Sequence, residues 1–236
     1  MTELLFLNDS YIKEFAANVL ECVEGGVVLD QTAFYIGGGG QPNDQGVLST
    51  NKTRYQVNRV SRKDNKVIHF IEGDQPAIGS NVHGLLDWDR RYRLMRTHTA
   101  LHILSGIIWR DFGAKVTGGD MQPGTARMDF ELEHISSSFS NEIYEKVNQE
   151  VKAGRPINVG FLSRDEAELE PDLIRTKINL LPSDITEIRT IDISGLDLQA
   201  DGGTHVANTL EVGEISIVGH ENKGRINKRL RISLQS

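Results

Sequence analysis

Residues 81–108 read NVHGLLDWDRRYRLMRTHTALHILSGII, and the period of the chain changes inside them. Before Trp88 the apolar residues come in short or alternating runs, the pattern of strands. After it, Leu94, His98, Leu101, His102, Ser105 and Ile108 recur at steps of three and four, the spacing of one helical face. The stretch predicts a junction between a β-rich part and a helix.

Toward the N-terminus, from Leu4 to about Leu86, short runs are separated by turn residues. These are Gly25-Gly26 before VVLD, the run Gly37 to Gly40, and Asp44-Gln45-Gly46, followed by RYQVNRV, KVIHFIEG and NVHGLLDW. Many short strands with glycine-rich turns predict a small antiparallel barrel or sandwich. Toward the C-terminus, Phe139, Ile143, Val147 and Val151 form one stripe behind a serine-rich cap region, which predicts a second helix over 139–151. TARMDFEL, INVGFL, TEIRTIDI and EISIVGHE read as strands. The expected class is α+β, with a small N-terminal β-barrel domain over residues 1–88 and a two-layer α/β domain over 89–236.

With 236 residues the chain can bury a sizeable core, and 38% hydrophobic against 25% charged residues is the balance of a soluble globular protein. No apolar run approaches the roughly 18 residues of a membrane span, so no membrane partner is expected. The start, MTELLFLNDSYIKEF, lacks the basic and then apolar regions of a signal peptide. The single cysteine, Cys22, leaves no intrachain disulfide and no cysteine metal cluster, and a cytosolic location is expected.

A net charge of −7 excludes a protein that coats nucleic acid nonspecifically, because Lys and Arg supply most of that affinity. Two local basic clusters stand against the average. One is Arg90, Arg91, Arg93 and Arg96; the other is Lys223, Arg225, Lys228, Arg229 and Arg231. Either alone reads as solvated surface, but the first adjoins the histidines of the helix and is a candidate RNA contact.

His98 and His102, four residues apart on the expected helix, project from one side within reach of a common ion. Far downstream, Asp201-Gly202-Gly203-Thr204-His205 places a carboxylate and an imidazole around two glycines that permit a tight bend. Taken alone, this second motif is also what a turn before a strand looks like. Together the two offer three imidazoles and one carboxylate. HTALH lacks the glutamate of the H-E-x-x-H metallopeptidase helix, and no Gly-Lys-Ser/Thr follows the Gly37 run as a P-loop requires.

HTALH, followed downstream by GGTHV, a later acidic residue and glycine, and the basic GRINKR segment, resembles the editing domain shared by alanyl-tRNA synthetases and the AlaX family of stand-alone alanyl-tRNA editing deacylases. TAFYIGGGGQPNDQG resembles the glycine-rich segment that precedes that domain. The resemblance runs from Thr32 to Arg231. It implies a metal-dependent hydrolase that removes a wrong amino acid from tRNA(Ala), mainly serine and less surely glycine, without ATP. It also implies Zn2+ on His98, His102 and His205. Seryl-tRNA(Thr) editing, or a non-catalytic tRNA-binding accessory protein with a structural metal, are the alternatives. In most of the family the second motif begins with cysteine, where this chain has Asp201. A carboxylate is an accepted zinc ligand at about 2.0 to 2.2 Å, so Asp201 is the fourth ligand or stands beside a three-histidine metal. Without sulfur, cobalt, nickel or manganese compete more easily. Thr32, Gln41 and Thr117 are the candidates for the seryl hydroxyl, and Arg90, Arg91, Arg96, Lys223, Arg225, Lys228 and Arg229 for the tRNA.

Overall fold

Burial with a period of two shapes the N-terminal half. Its strands are β1 (Glu3–Leu4), β2 (Glu14–Val23), β3 (Gly26–Leu29), β4 (Gln31–Thr32), β5 (Gly46–Ser49), β6 (Arg54–Lys63), β7 (Lys66–Ile71) and β8 (Asn81–Leu86). On β2, Phe15, Ala17 and Val19 are buried while Glu14, Ala16, Asn18 and Leu20 face solvent. On β8 the buried positions are Val82, Gly84 and Leu86. Such strands have one dry side, and six of them close it off as a barrel in the order β2-β3-β7-β6-β5-β8. Phe34, Leu29, Leu48, Val57 and Val82 are among the residues that fill the barrel core. Each such side chain contributes about 1.5–3 kcal/mol through burial.

Turn chemistry sets the connections. Asp64 and Asn65, with φ of 50° and 60°, join β6 to β7 in a two-residue turn that these two residue types tolerate. Gly37, Gly38, Gly39 and Gly40 all have positive φ, so the glycine run is a backbone requirement of the loop between β4 and β5.

The computed structural model describes residues 1–170, 172–174 and 186–235, in two units, Met1–Arg93 and Leu94–Ser236. The change of period at Trp88 is the start of helix α1 (Trp88–Phe112). After it come β9 (Val116–Gln122), β10 (Thr125–Phe130), α2 (Ser137–Lys152), β11 (Ile157–Ser163), α3 (Arg164–Leu169), β12 (Glu187–Ile193), β13 (Asp197–Ala200), β14 (Ile215–Asn222) and β15 (Lys228–Leu234). They form an antiparallel sheet in the order β14-β15-β10-β9 and another in the order β11-β12-β13. The chain thus has the expected α+β class with an N-terminal barrel. Among the described residues no helix is long and apolar enough to cross a membrane.

One expectation is corrected here. The spacing on α1 predicts one buried face, yet from Leu94 to Ile108 every residue except Arg96 is buried. Neighbours approach this part of the helix from several sides. Thr97 accepts a hydrogen bond from the Gly124 amide, Arg96 donates to the Val212 carbonyl, and Leu196 and Asp197 lie against Gly106, where a Cβ would stand 3.2 Å from both. A helix covered all round belongs to an interior. The second helix is as expected. Ser136 caps α2 by accepting from the Phe139 amide, and Ile143, Val147 and Val151 are its buried stripe. Asn148 clamps α2 to β14 through both backbone groups of Ile215. Helix α3 departs from the mainly-strand reading of the C-terminal part; its Ser163–Glu166 capping box fixes it in a stretch too short for periodicity to show.

Candidate metal centre

Helix α1 holds His98 and His102 one turn apart, and the segment after β13 brings Asp201 and His205 to them. That segment is built on β12. The Asp201 amide donates to the Arg189 carbonyl at 3.1 Å, and the Arg189 guanidinium donates to the carbonyls of Asp201 and Gly203 at 2.8 and 2.9 Å. The Gly203 amide donates to Asp201 Oδ1 at 2.6 Å. Neither Gly202 nor Gly203 takes up positive φ. Side-chain and guanidinium hydrogen bonds shape the loop instead.

The four side chains converge. His205 Nε2 lies 3.1 Å from Asp201 Oδ1, and His98 Nε2 and His102 Nε2 lie 3.5 and 3.9 Å from Asp201 Oδ2. All four potential ligand atoms lie within 4.8 Å of one another. A tetrahedral zinc with bonds of about 2.05 Å has ligand–ligand edges of about 3.3 Å. The observed separations bracket that edge, and the donor set of three imidazole nitrogens and one carboxylate oxygen fits zinc. The histidine side chains are 2–8% exposed and Asp201 is 15% exposed, so any opening to solvent lies on the carboxylate side.

Two further residues orient the rings. His102 Nδ1 lies 3.1 Å from Asp197 Oδ2, which also accepts from Gln199 Nε2 at 2.7 Å. His205 Nδ1 lies 3.1 Å from Thr99 Oγ1, and Thr99 also accepts from the Val206 amide. A proton on each Nδ1 satisfies these acceptors and leaves each Nε2 lone pair aimed at the shared centre, the usual arrangement behind a metal-ligating histidine. Thr99 had a signal in the sequence, since it sits inside HTALH. Asp197 had none, because only the turn between β12 and β13 carries it to α1.

The electrostatics of the cluster suit a divalent cation. Burial pushes His98 down to about 4, with the Asp201 charge opposing only in part. Burial acts on His102 in the same direction, but hydrogen bonds with Asp197 and Asp201 outweigh it and raise this group to about 9. Burial, with His98 adding to it, holds His205 well below the usual histidine range. Burial works against the Asp201 carboxylate too, yet the imidazoles around it keep its pKa well below the usual range. A divalent cation bound by the imidazoles in place of the His102 proton would offset the buried Asp201 charge, which is the physical condition for burying it.

The remaining expected site residues are more dispersed. Thr32 is fully buried in the first unit, where its hydroxyl contacts His69 Nε2 at 2.8 Å and accepts from the Phe34 amide, so it has no free surface for a ligand. Gln41 is 2% exposed and its backbone pairs with Gly38. Thr117 is half-buried on β9 and donates to Asn227 Oδ1 at 3.0 Å. Among the cations, Arg91 has no exposed surface and binds Asp44 and the carbonyls of Ser10 and Ala33. Lys228 is 3% exposed, with its ammonium on the carbonyls of Gly224 and Arg225. A surface role for Arg91 and Lys228 is corrected on that ground. Arg229 forms a two-pronged pair with Asp129, Arg96 binds backbone carbonyls of Val212 and Gln235, and half-buried Arg90 donates to Asn43. Lys223 and Arg225 are exposed.

Comparison with known proteins places these features in context. Residues 4–90 match the family described as tRNA synthetases class II (A), and residues 188–231, which include Asp201 and His205, match the threonyl and alanyl tRNA synthetase second additional domain. The alanyl-tRNA editing protein AlaX-M of Saccharolobus solfataricus is 42% identical over 98% of both chains. That of Methanosarcina mazei is 38% identical over 99% of this chain and 97% of its own. The alanine–tRNA ligase of Pyrobaculum aerophilum is 38% identical over 92% of this chain, which matches 25% of the ligase.

Proposed function

The chain belongs to the alanyl-tRNA editing protein family, and from that premise we propose that it hydrolyses the ester joining a wrong amino acid, mainly serine and secondarily glycine, to tRNA(Ala). The observation that carries the reading is the convergence of three buried imidazoles on the partly exposed Asp201 carboxylate.

His98, His102 and His205 would hold Zn2+ through Nε2, and Asp201 through a carboxylate oxygen. Zinc held there would polarise an ester carbonyl and, with a coordination position left open, would lower the pKa of water to about 7. Asp197 and Thr99 keep the rings of His102 and His205 in the ligating orientation. Arg189 fixes the carbonyls that flank the Asp201 side chain, so the carboxylate needs no reorganisation when it binds a cation. In the reaction a water oxygen bonds to the ester carbonyl carbon and the bond to the ribose oxygen breaks. The ribose oxygen takes the proton, and free amino acid and tRNA with a free terminal hydroxyl are released. Water is the only co-reactant, so ATP is not needed, and a cytosolic location accords with an aminoacyl-tRNA substrate.

Selectivity for serine over alanine needs a polar group for the seryl hydroxyl. A site built to hydrogen-bond a hydroxyl disfavours the analogue lacking it by up to roughly 10⁴ to 10⁵-fold. Thr117, paired with Asn227, is the candidate that the burial of Thr32 and Gln41 leaves.

Deacylation of seryl-, glycyl- and alanyl-tRNA(Ala) and seryl-tRNA(Thr) by the purified protein tests the reading. Release of serine and then glycine from tRNA(Ala) is expected, with alanine spared and activity lost in His98→Ala, His102→Ala. Tight tRNA and metal binding without turnover on any of the four would make this a non-catalytic accessory protein, and preference for seryl-tRNA(Thr) would move it to the threonyl branch.

A further inference from the structure

The cations expected to meet RNA are largely committed within the protein, whereas a set that the motifs pass over is not. Arg54, Arg59, Arg62 and Lys63 all lie on β6 and all are exposed. The strand contains no acidic residue, in a chain whose net charge is −7. Among the described residues no carboxylate pairs with these four, in contrast to Lys66 with Glu21, Arg229 with Asp129, Arg231 with Glu221 and Arg155 with Glu150. Four like charges on one strand, unrelieved by ion pairs, form a local positive potential against the overall field.

The geometry of the strip is that of an extended polyanion site. Arg54, Arg59 and Lys63 share the outward side of β6, whereas Arg62 is in register with the core residue Val67 and leaves from the other side; from Arg54 to Lys63 the strand runs nine residues, about 30 Å at roughly 3.3 Å per residue, enough to follow several consecutive phosphates. A register shift between Val57 and Arg59 leaves both Asn58 and Arg59 facing outward. The Arg59 guanidinium lies 4.0 Å over the Phe70 ring, which holds it in place at little entropic cost. At the N-terminal end of β6 the strip runs into an open cleft of about 480 Å³ whose lining includes Thr50, Asn51, Lys52, Gln75, Ser80 and Asn81. Amides and hydroxyls of this kind suit ribose hydroxyls and phosphate oxygens.

We infer that the outer face of β6 and this cleft bind the ribose-phosphate backbone of the RNA. The inference rests on tRNA being the substrate, but its test does not depend on catalysis. Binding of uncharged tRNA(Ala) is measured by filter retention at several salt concentrations for the full chain and for Arg59→Glu, Lys63→Glu. Zinc content and the thermal midpoint are measured on the same samples. The expected result is about tenfold weaker binding in the variant at low salt and a log–log salt slope shallower by about two, one for each lost phosphate contact, with zinc content and midpoint unchanged. A similar weakening with a fluorescein-labelled RNA duplex of unrelated sequence is expected, because backbone contacts carry no sequence information. Unchanged affinity and slope overturn the inference, leaving the strip for an acidic protein partner or none. A loss accompanied by lower zinc content or midpoint is separated from it by Arg54→Gln, Lys63→Gln, which removes charge from two exposed positions, and unchanged binding in that variant also overturns it. Failure of the deacylation assay with intact tRNA binding would strike the proposed activity and leave this surface standing.

Discussion

Asp197→Asn isolates what the buried carboxylate behind His102 does for the metal centre. Asparagine keeps the shape and one acceptor oxygen, so His102 Nδ1 retains a partner near 3.1 Å, but the negative charge is gone. Asp197 is 3% exposed, and its interaction with the imidazole is therefore weakly screened. Loss of such a partner typically weakens metal binding 10- to 100-fold, about 1.4 to 2.7 kcal/mol. Asp197→Ala, which also frees the ring to turn and to change tautomer, is expected at the upper end. The assay is competition for zinc against a chromogenic chelator at pH 7.5. Asp111→Asn serves as the control, since that carboxylate pairs with Arg110 and Lys146 rather than with a histidine. Zinc affinity of Asp197→Asn within twofold of the parent would refute the reasoning, for it would mean that ring orientation and basicity at His102 are set elsewhere. A loss of equal size in Asp111→Asn would refute it as well, since the effect would then follow net charge and not the hydrogen bond.

Two further outcomes are expected. If Asp201 ligates the metal, Asp201→Cys keeps zinc and measurable deacylation while Asp201→Ala weakens both; an alanine variant with full metal but turnover lower by roughly 10² to 10⁴-fold would identify a general base instead. In the barrel, burial pushes His69 down from 6.5 to about 4. Below pH 6.5 the unfolded chain gains a proton that the folded chain refuses until about pH 4, so stability is full above that window and falls with pH by about 1.4 kcal/mol per unit, roughly 3 kcal/mol in all. His69→Leu is expected to lower stability at pH 7, because Thr32 loses its partner, and to flatten the acid limb in denaturant titrations from pH 7 to 4; an unchanged limb would show that His69 is not the group responsible.

How much of this was legible in the sequence follows from the range of each interaction. The barrel, the start of α1 and the stripe on α2 are written in local periods of two and 3.6 and in turn residues, because backbone geometry alone fixes which side chains share a face. His98 with His102, and Asp201 with His205, were legible as pairs for the same reason: each is four residues apart, and helix or loop brings such residues together. That the two pairs meet was not local. The family resemblance implied it, and the tertiary structure decides it by packing the loop built on Arg189 against an α1 that is buried almost all round. Asp197 escaped the sequence because its partner is 95 residues away and is reached only through close approach at Gly106. The burial of Arg91 and Lys228 within the basic clusters was illegible for the converse reason. Composition shows that a cation exists, but whether it meets solvent or a buried partner depends on neighbours distant in the chain, as with Arg91 on Asp44 and Arg229 on Asp129. Burial and pairing are long-range quantities, and they alone separated the cations that hold the fold together from those on β6 that remain open to a ligand.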